Sequence, residues 1–195
     1  MKKLIAIAAL AAFGAAAEDK PAAAPAKMEM PKPPDEMKVE QWFVGTWNCK
    51  GMQHAGPMGP EMKTSSRIEM KMELAGFWLQ VKGSAQSGPM KGKELFEGFA
   101  TYEGGQHVRY DFDMGGMARL TTKGWDGDKM VFEGDRMMGG QKQTLKHTIT
   151  KKGNDAWDSN FDIDGKPMIE ETCTRAGGAK AAKPAAAPAP AADKK

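Results

Sequence analysis

His147 is the residue of this chain with the clearest potential for chemistry. It lies between Leu145 and Ile149 in an alternating segment, so its imidazole is expected on one strand face with two aliphatic side chains. It could ligate a metal, or it could be a buried histidine that hydrogen-bonds to a polar neighbour. The candidate neighbours are Glu171, Ser159 and Tyr110. The hydrogen-bonded interpretation is favoured, because one histidine is weak evidence for a metal.

A second group of potential ligands lies in a Gly/Pro-rich segment and contains His54, Met58 and Met62. Thioethers combined with an imidazole suit copper(I), which makes copper binding an alternative. Methionine also packs readily into irregular interiors, and Met70 and Met72 alternate as a core row would. The 16 methionines of the chain are therefore expected to serve mainly as packing.

The two cysteines of the chain, Cys49 and Cys173, predict how its sheet closes. If the segments around them pair as antiparallel strands with the cysteines opposed, Trp47 falls opposite Arg175. Alternation puts all four side chains on one face. One register therefore predicts a disulfide and a Trp–Arg stack, and it pairs the first strand with the last, as in a β-barrel.

Catalytic arrangements are not found in the sequence. There is no Gly-x-Ser-x-Gly or Cys-x-x-Cys motif, and no register that we can argue places a serine near a histidine. Glu69, Glu97 and Glu171 cannot be paired in space, and strand glutamates are usually surface residues. We therefore expect a protein that is not an enzyme.

From residue 45 onward, apolar and polar residues alternate in short runs separated by glycine-bearing turns, which predicts an all-β fold. The ten predicted strands span 45–53, 65–73, 77–84, 93–102, 107–113, 117–125, 129–135, 142–151, 155–163 and 167–175. Short hairpins between them favour an up-and-down antiparallel barrel. A short helix over Asp35 to Trp42, capped by Asp35, is expected to lead into the first strand.

The ends of the chain differ in composition from this domain. Residues 1–17 have a charged start, an apolar stretch and an Ala-Ala-Ala cleavage site, which is the layout of a signal peptide. Residues 18–37 and 177–195 are rich in Ala, Pro and Lys and are expected to be disordered, with the barrel domain at 38–176. Export to the periplasm or the extracellular space fits a disulfide.

Charge argues against a nucleic-acid partner. The chain has 28 basic and 25 acidic residues, and removing residues 1–17 takes away two lysines and leaves 26 against 25. The two signs are interspersed, whereas a nucleic-acid surface would show a clustered basic face. No membrane-spanning pattern is present, and a monomer is expected.

Phasing the strands by their apolar positions predicts a mostly apolar interior with a few polar groups. On this basis Val108, Tyr110 and Phe112 point inward, while His107, Arg109, Asp111 and Asp113 are solvated. Such an interior is typical of a site for a small hydrophobic molecule. The predicted lining consists of Tyr110, Phe112, His147, Trp157, Ser159, Phe161 and Glu171.

Gly45-x-Trp47 at the start of the first strand, with Arg175 near the end of the last, resembles the calycin superfamily of lipocalins, fatty-acid-binding proteins and haem-binding nitrobindins. Three segments are also similar to the bacterial secreted group called "domain of unknown function 1579". They are Phe43-Val44-Gly45-Thr46-Trp47, Gly98-Phe99-Ala100-Thr101-Tyr102 and Trp125-Asp126-Gly127. The resemblance implies a barrel with Gly45, Trp47 and Arg175 at its closure and a small apolar or amphipathic ligand inside. It also implies haem at His147 as an alternative.

The sequence therefore favours an exported barrel that binds or carries a small hydrophobic ligand and requires no cofactor. A haem- or copper-binding protein is the first alternative. A protein-interaction module of the cell envelope is the second.

Overall fold

The structure, a computed structural model, describes residues 30–177. The predicted signal peptide and most of the two Ala/Pro/Lys-rich segments lie outside the described residues. Within them, no helix is long and apolar enough to cross a membrane.

The described chain is almost entirely β. A 3-10 helix, Asp35–Phe43, comes first, and a second short one, Leu74–Gly76, joins two strands. The strands are β1 Gly45–Gln53, β2 Met62–Glu73, β3 Trp78–Ala85, β4 Glu94–Glu103, β5 Gln106–Asp113, β6 Gly116–Thr122, β7 Trp125–Asp126, β8 Lys129–Met138, β9 Gln141–Lys151, β10 Ala156–Ile163 and β11 Lys166–Arg175.

Ten of these strands form a closed antiparallel ring. Neighbours in the sequence pair with one another, β6 pairs with β8, and β1 pairs with β11. The predicted strand 117–125 is interrupted after Thr122, and the two-residue β7 pairs only with the start of β8. Gly124, with φ +102°, makes the interruption possible. The all-β, up-and-down barrel predicted from the sequence is confirmed.

The register of the first and last strands is the one predicted. Trp47 pairs with Arg175 and Cys49 with Cys173, and the two sulfurs form a disulfide. Both cysteines are fully buried. A disulfide of this kind indicates an oxidising, non-cytoplasmic compartment.

The end of the barrel at which β1 begins and β11 ends, called here the closed end, is sealed by the helix Asp35–Phe43. The Trp47 indole is fully buried and donates to the Phe43 carbonyl at 2.7 Å. The Arg175 guanidinium lies 4.1 Å above the Trp47 ring. It also donates to the carbonyls of Val44 at 2.7 Å and Trp42 at 3.2 Å, which lie at the end of the helix.

Gly45 is required at this closure for two reasons. Its φ of +132° is rarely adopted by other residues, and a β-carbon there would lie 2.6 Å from Nη1 of Arg175. The three residues of the predicted closure therefore act together: the glycine leaves room for the guanidinium, which holds both the tryptophan and the helix end.

The start of the folded domain differs from the prediction. Asp35 is the first residue of the helix rather than its cap, and its carboxylate pairs with Lys38 at 2.8 Å. Met37 is only 2% exposed, so the last residues of the predicted linker 18–37 belong to the folded domain. A buried side chain at this position anchors the helix against the barrel.

Candidate ligand site in the barrel interior

Three neighbouring strands present the inward rows that the sequence predicts. In β9, β10 and β11 the pairing places Phe161 beside His147 and Ser159 beside Glu171. Leu145 and Ile149, which flank His147 in its row, are at most 3% exposed. His147, Ser159, Phe161 and Glu171 thus share the inner face, as expected.

The predicted orientation of β5 is wrong. Arg109 pairs with Ala100 on β4 and Leu120 on β6, both of which are buried in the core. Arg109 and its alternate neighbours on β5 therefore face inward, while Tyr110 and Phe112 lie on the outer wall of the barrel. Phe112 is 45% exposed. The strand carries its polar row inside because those polar groups find partners there.

His107, expected to be solvated, is one of these inward residues and is 3% exposed. Its Nδ1 lies 3.0 Å from Oε1 of Glu40, which is itself only 1% exposed. Glu40 belongs to the helix at the closed end, so this buried pair ties the helix to β5. Neither residue was singled out from the sequence as part of a pair.

A chain of polar contacts crosses the interior from β5 to β9 and β10. The Arg109 guanidinium donates to Asp111 Oδ2 at 2.9 and 3.0 Å and, through Nη1, to His147 Nδ1 at 2.9 Å. Nε2 of His147 lies 2.8 Å from the Ser159 hydroxyl. The guanidinium also lies 4.6 Å above the Phe132 ring. Ser159 is thus the one of the three predicted hydrogen-bond neighbours that His147 contacts, although no register argued from the sequence placed the two side chains together.

The contacts fix the protonation state of His147. A guanidinium can only donate, so Nδ1 must be the acceptor, and Nε2 then carries the proton and donates to Ser159. Burial and the neighbouring Arg109 charge hold the pKa of His147 well below its ordinary value of 6.5. An imidazole that donates to a serine cannot take the proton of that serine, so this pair is not arranged for nucleophilic attack.

Haem does not fit His147 in this arrangement. A histidine ligates iron through a ring nitrogen that is free to accept, and both of its nitrogens are engaged, one by Arg109 and one by Ser159.

The proposed copper ligands are not brought together. Nε2 of His54 lies 3.5 Å from Oε2 of Glu170 on β11, on one side of the β1–β2 hairpin. Met62 belongs to β2, and its methyl group reaches toward Gly88 in the β3–β4 connection, on the other side. Met58 is 40% exposed. The side chains of His54 and Met62 therefore lie on opposite sides of the hairpin, so this set does not fit a copper site.

Glu171 is an inward carboxyl that lies beside the disulfide. Its carboxylate lies within 4.8 Å of the sulfurs of Cys49 and Cys173, which are bonded to each other and offer no thiolate. Burial raises the pKa of Glu171, and the nearby Thr64 hydroxyl opposes part of the rise. Residues 30–177 place no Lys, Arg or His within 4.0 Å of this carboxylate.

The packing of the inward side chains differs between the closed end and the rest of the barrel. At the closed end the inward residues are packed, and Trp157 is 2% exposed in edge-on contact with Trp47, so it does not line a ligand site. Farther along, inward side chains keep some accessible surface, including 11% for Arg109 and 21% for Asp111. The other partly exposed inward residues are Phe96, His147, Phe161, Ile169 and Glu171. We call the region between these residues the inner space.

Tyr110 and Phe112 line a different feature, a cleft of about 460 Å³ on the outer wall, called here the outer cleft. Its other lining residues are Glu73, Leu74, Trp78, Gln80 and Phe99. Trp78 and Tyr110 lie 6.4 Å apart between ring centroids, and Leu74 is 72% exposed. Two residues predicted for the interior therefore form part of an exposed apolar surface.

Opposed pH effects are expected from His147 and Glu171. The unfolded chain protonates His147 below 6.5 and the folded one does not, so the stability due to this group is lost as pH falls below 6.5. The folded state keeps the Glu171 proton above 4.5, so stability is lost as pH rises above that value. Between 4.5 and 6.5 the two slopes oppose each other.

We therefore expect His147→Gln and Glu171→Gln to change the pH slope of the free energy of unfolding in opposite directions, each by up to about 1.4 kcal/mol per pH unit. Urea unfolding between pH 4.5 and 6.5 measures this. Glu61→Gln, at an exposed position between β1 and β2, is the control. Unchanged slopes in both inner variants would contradict the burial of these groups.

Among the comparisons with known proteins, one solved structure bears on the fold. No protein-family model matches the chain, and no curated protein matches it. A crystal structure of Rv2717c from M. tuberculosis superposes with a TM-score of 0.51 at 11% sequence identity, covering 74% of this chain and 99% of that chain. A redesigned β-barrel gives 0.37 at 10% identity over 70% of this chain and 93% of its own, too low to carry an argument. At this identity the first similarity shows a barrel fold alone.

Proposed function

We propose that this protein is an exported, calycin-type barrel, related to the "domain of unknown function 1579" group, that binds or carries a small hydrophobic molecule without catalysis. The observation that carries the proposal is the inner space, where inward-facing side chains beyond the closed end of the barrel keep accessible surface. Export is supported by the layout of residues 1–17 and by the buried disulfide.

The chemistry around the inner space suits such a ligand. Phe96, Phe161 and Ile169 supply apolar surface that packs against the core. Ser159 and Glu171 supply polar groups beside it. Apolar walls with a few orienting polar groups are typical of small-molecule sites.

Binding of the neutral hydrophobic fluorophore N-phenyl-1-naphthylamine tests this proposal. We expect saturable fluorescence enhancement, and Phe161→Ala should weaken binding by about tenfold because one aromatic wall of the inner space is lost. The matched control is Phe112→Ala, which removes the same side chain from the outer wall. Melting curves of both variants establish that they are folded.

Two results would contradict interior binding. The fluorophore could fail to bind, or Phe112→Ala could weaken binding while Phe161→Ala leaves it unchanged. The second result would place the hydrophobic site in the outer cleft.

The outer cleft supports a protein-interaction module as a second candidate function. Exposed, contiguous apolar surface on a folded domain commonly marks a binding surface, and Leu74, Trp78 and Phe112 provide it here. If this function applies, Phe112→Ala and Trp78→Ala should abolish the recovery of partner proteins cross-linked to the barrel in its own host. Phe161→Ala should leave that recovery unchanged.

A further inference from the structure

The charged groups around the inner space are balanced except at one position. Arg109 pairs with Asp111, and Arg136 pairs with Asp113 at 3.0 Å. Glu171 faces the same interior, and the described residues bring no cationic side chain within 4.0 Å of it. The interior therefore holds one carboxyl that lacks a partner of opposite charge.

The immediate neighbours of Glu171 on every packed strand are uncharged. On β1 they are Gly51, which has no side chain, and the disulfide sulfur of Cys49. On β10 and β2 they are Ser159 and Thr64, both hydroxyls. The charged groups across the interior are Arg109 and Asp111, which neutralise one another, and His147, which is neutral.

The inward arginines, Arg109 and Arg136, are in contrast already paired with carboxylates. Arg109 uses Nε and Nη2 on Asp111 and Nη1 on His147. Arg136 donates to Asp113, to Gln143 and to the sulfur of Met138. Each guanidinium uses three of its five N–H donors on these partners, and an aspartate already balances its charge. A cation, in contrast, would find in Glu171 a carboxylate without an ion-pair partner.

We infer that the inner space takes hydrophobic amines, with the ammonium group bound by Glu171 and the apolar body packed against Phe161 and Ile169. This inference rests on the proposed function, since it names the ligand class of the same site. Phe161 and Glu171 are diagonal neighbours on β10 and β11, about 7–8 Å apart, which a short amphipathic molecule spans. The Phe161 ring face also offers a favourable surface to a cation.

Three probes with the same phenyl ring and four-carbon chain test the inference: 4-phenylbutylamine, 4-phenylbutan-1-ol and 4-phenylbutyrate. Calorimetry at pH 8 should show the amine binding about tenfold tighter than the alcohol, and the acid binding weakest. Glu171→Gln should weaken the amine about tenfold, to the level of the alcohol, and leave the alcohol unchanged. The matched control Glu170→Gln, on the outer face of β11, should retain the preference.

The outcomes separate the two claims. Equal affinity for amine and alcohol, or a preference for the acid, would overturn the inference while leaving hydrophobic binding in place. Binding of none of the probes would overturn both. If Glu171→Gln does not fold, the pH dependence of binding to the wild type tests the inference. The affinity for the amine must rise with pH as Glu171 ionises, while the affinity for the alcohol stays constant. A constant ratio would overturn the inference.

Discussion

Replacing both cysteines, Cys49→Ser with Cys173→Ser, is expected to lower the free energy of unfolding by up to about 5 kcal/mol under oxidising conditions. The bridge joins residues 124 apart in the sequence, so it removes much of the conformational freedom of the unfolded chain. The new hydroxyls would also lie in a fully buried position. Urea unfolding with and without reductant measures the difference.

The matched comparison is the reduced wild type. The stability of the wild type should fall on reduction, whereas that of the double-serine variant should not respond to reductant. The backbone pairing of β1 with β11 should persist in both, because the Trp47–Arg175 contact does not depend on the bridge. Equal stability of the oxidised wild type and the variant would contradict the role assigned to the disulfide.

Removing one partner of the buried Glu40–His107 pair is the second change with a large expected effect. Glu40→Ala should lower the free energy of unfolding by about 3 kcal/mol, because it leaves a polar ring 3% exposed without its partner. The effect should be concentrated at the closed end, where Glu40 holds the helix. Hydrogen exchange of the helix amides and thermal melting measure the two consequences.

Two controls distinguish the loss of this buried contact from the effect of removing a charge at the surface. The double variant Glu40→Leu with His107→Leu should recover most of the lost stability, because apolar residues of similar size can replace a buried pair. Lys38→Ala, which breaks a solvent-exposed pair with Asp35, should change the free energy of unfolding far less than Glu40→Ala does. A single Glu40→Ala variant as stable as Lys38→Ala would contradict the account.

The closure of the barrel could be predicted from the sequence because two independent chemical constraints shared one register. A single pair of cysteines admits one bridge, and that bridge brings Trp47 opposite Arg175. The carbonyls to which Arg175 donates could not be predicted. They depend on how the helix Asp35–Phe43 ends against the barrel, which no sequence period encodes.

The interior could be predicted only where apolar residues face inward. On β9 and β10 the apolar row is the inner row, so His147, Ser159 and Phe161 were placed correctly. On β5 the apolar row lies on the outer wall, so phasing by hydrophobicity assigned the wrong face to the interior. It placed Tyr110 and Phe112 inside, where the structure has Arg109 and Asp111.

The turn between β4 and β5 does contain information about which face of β5 points inward. Gly104-Gly105 is a two-residue hairpin connection, and it fixes Ala100 opposite Arg109. Using it requires the inner face of β4 to be known. Deriving that face from Trp47 requires counting residues through each successive hairpin. The β3–β4 hairpin contains a register shift between Gly83 and Ser84, so residue counting gives the wrong pairing there.

The central claim is that a small hydrophobic molecule occupies the inner space, and methyl NMR tests it most directly. Titration with 4-phenylbutan-1-ol should shift the δ1 methyl resonance of Ile169, which faces inward, and leave the ε methyls of Met117 and Met137 unchanged. Those two methionines lie on the outer wall, 53% and 59% exposed. Shifts at Met117 and Met137 without a shift at Ile169 would contradict the claim.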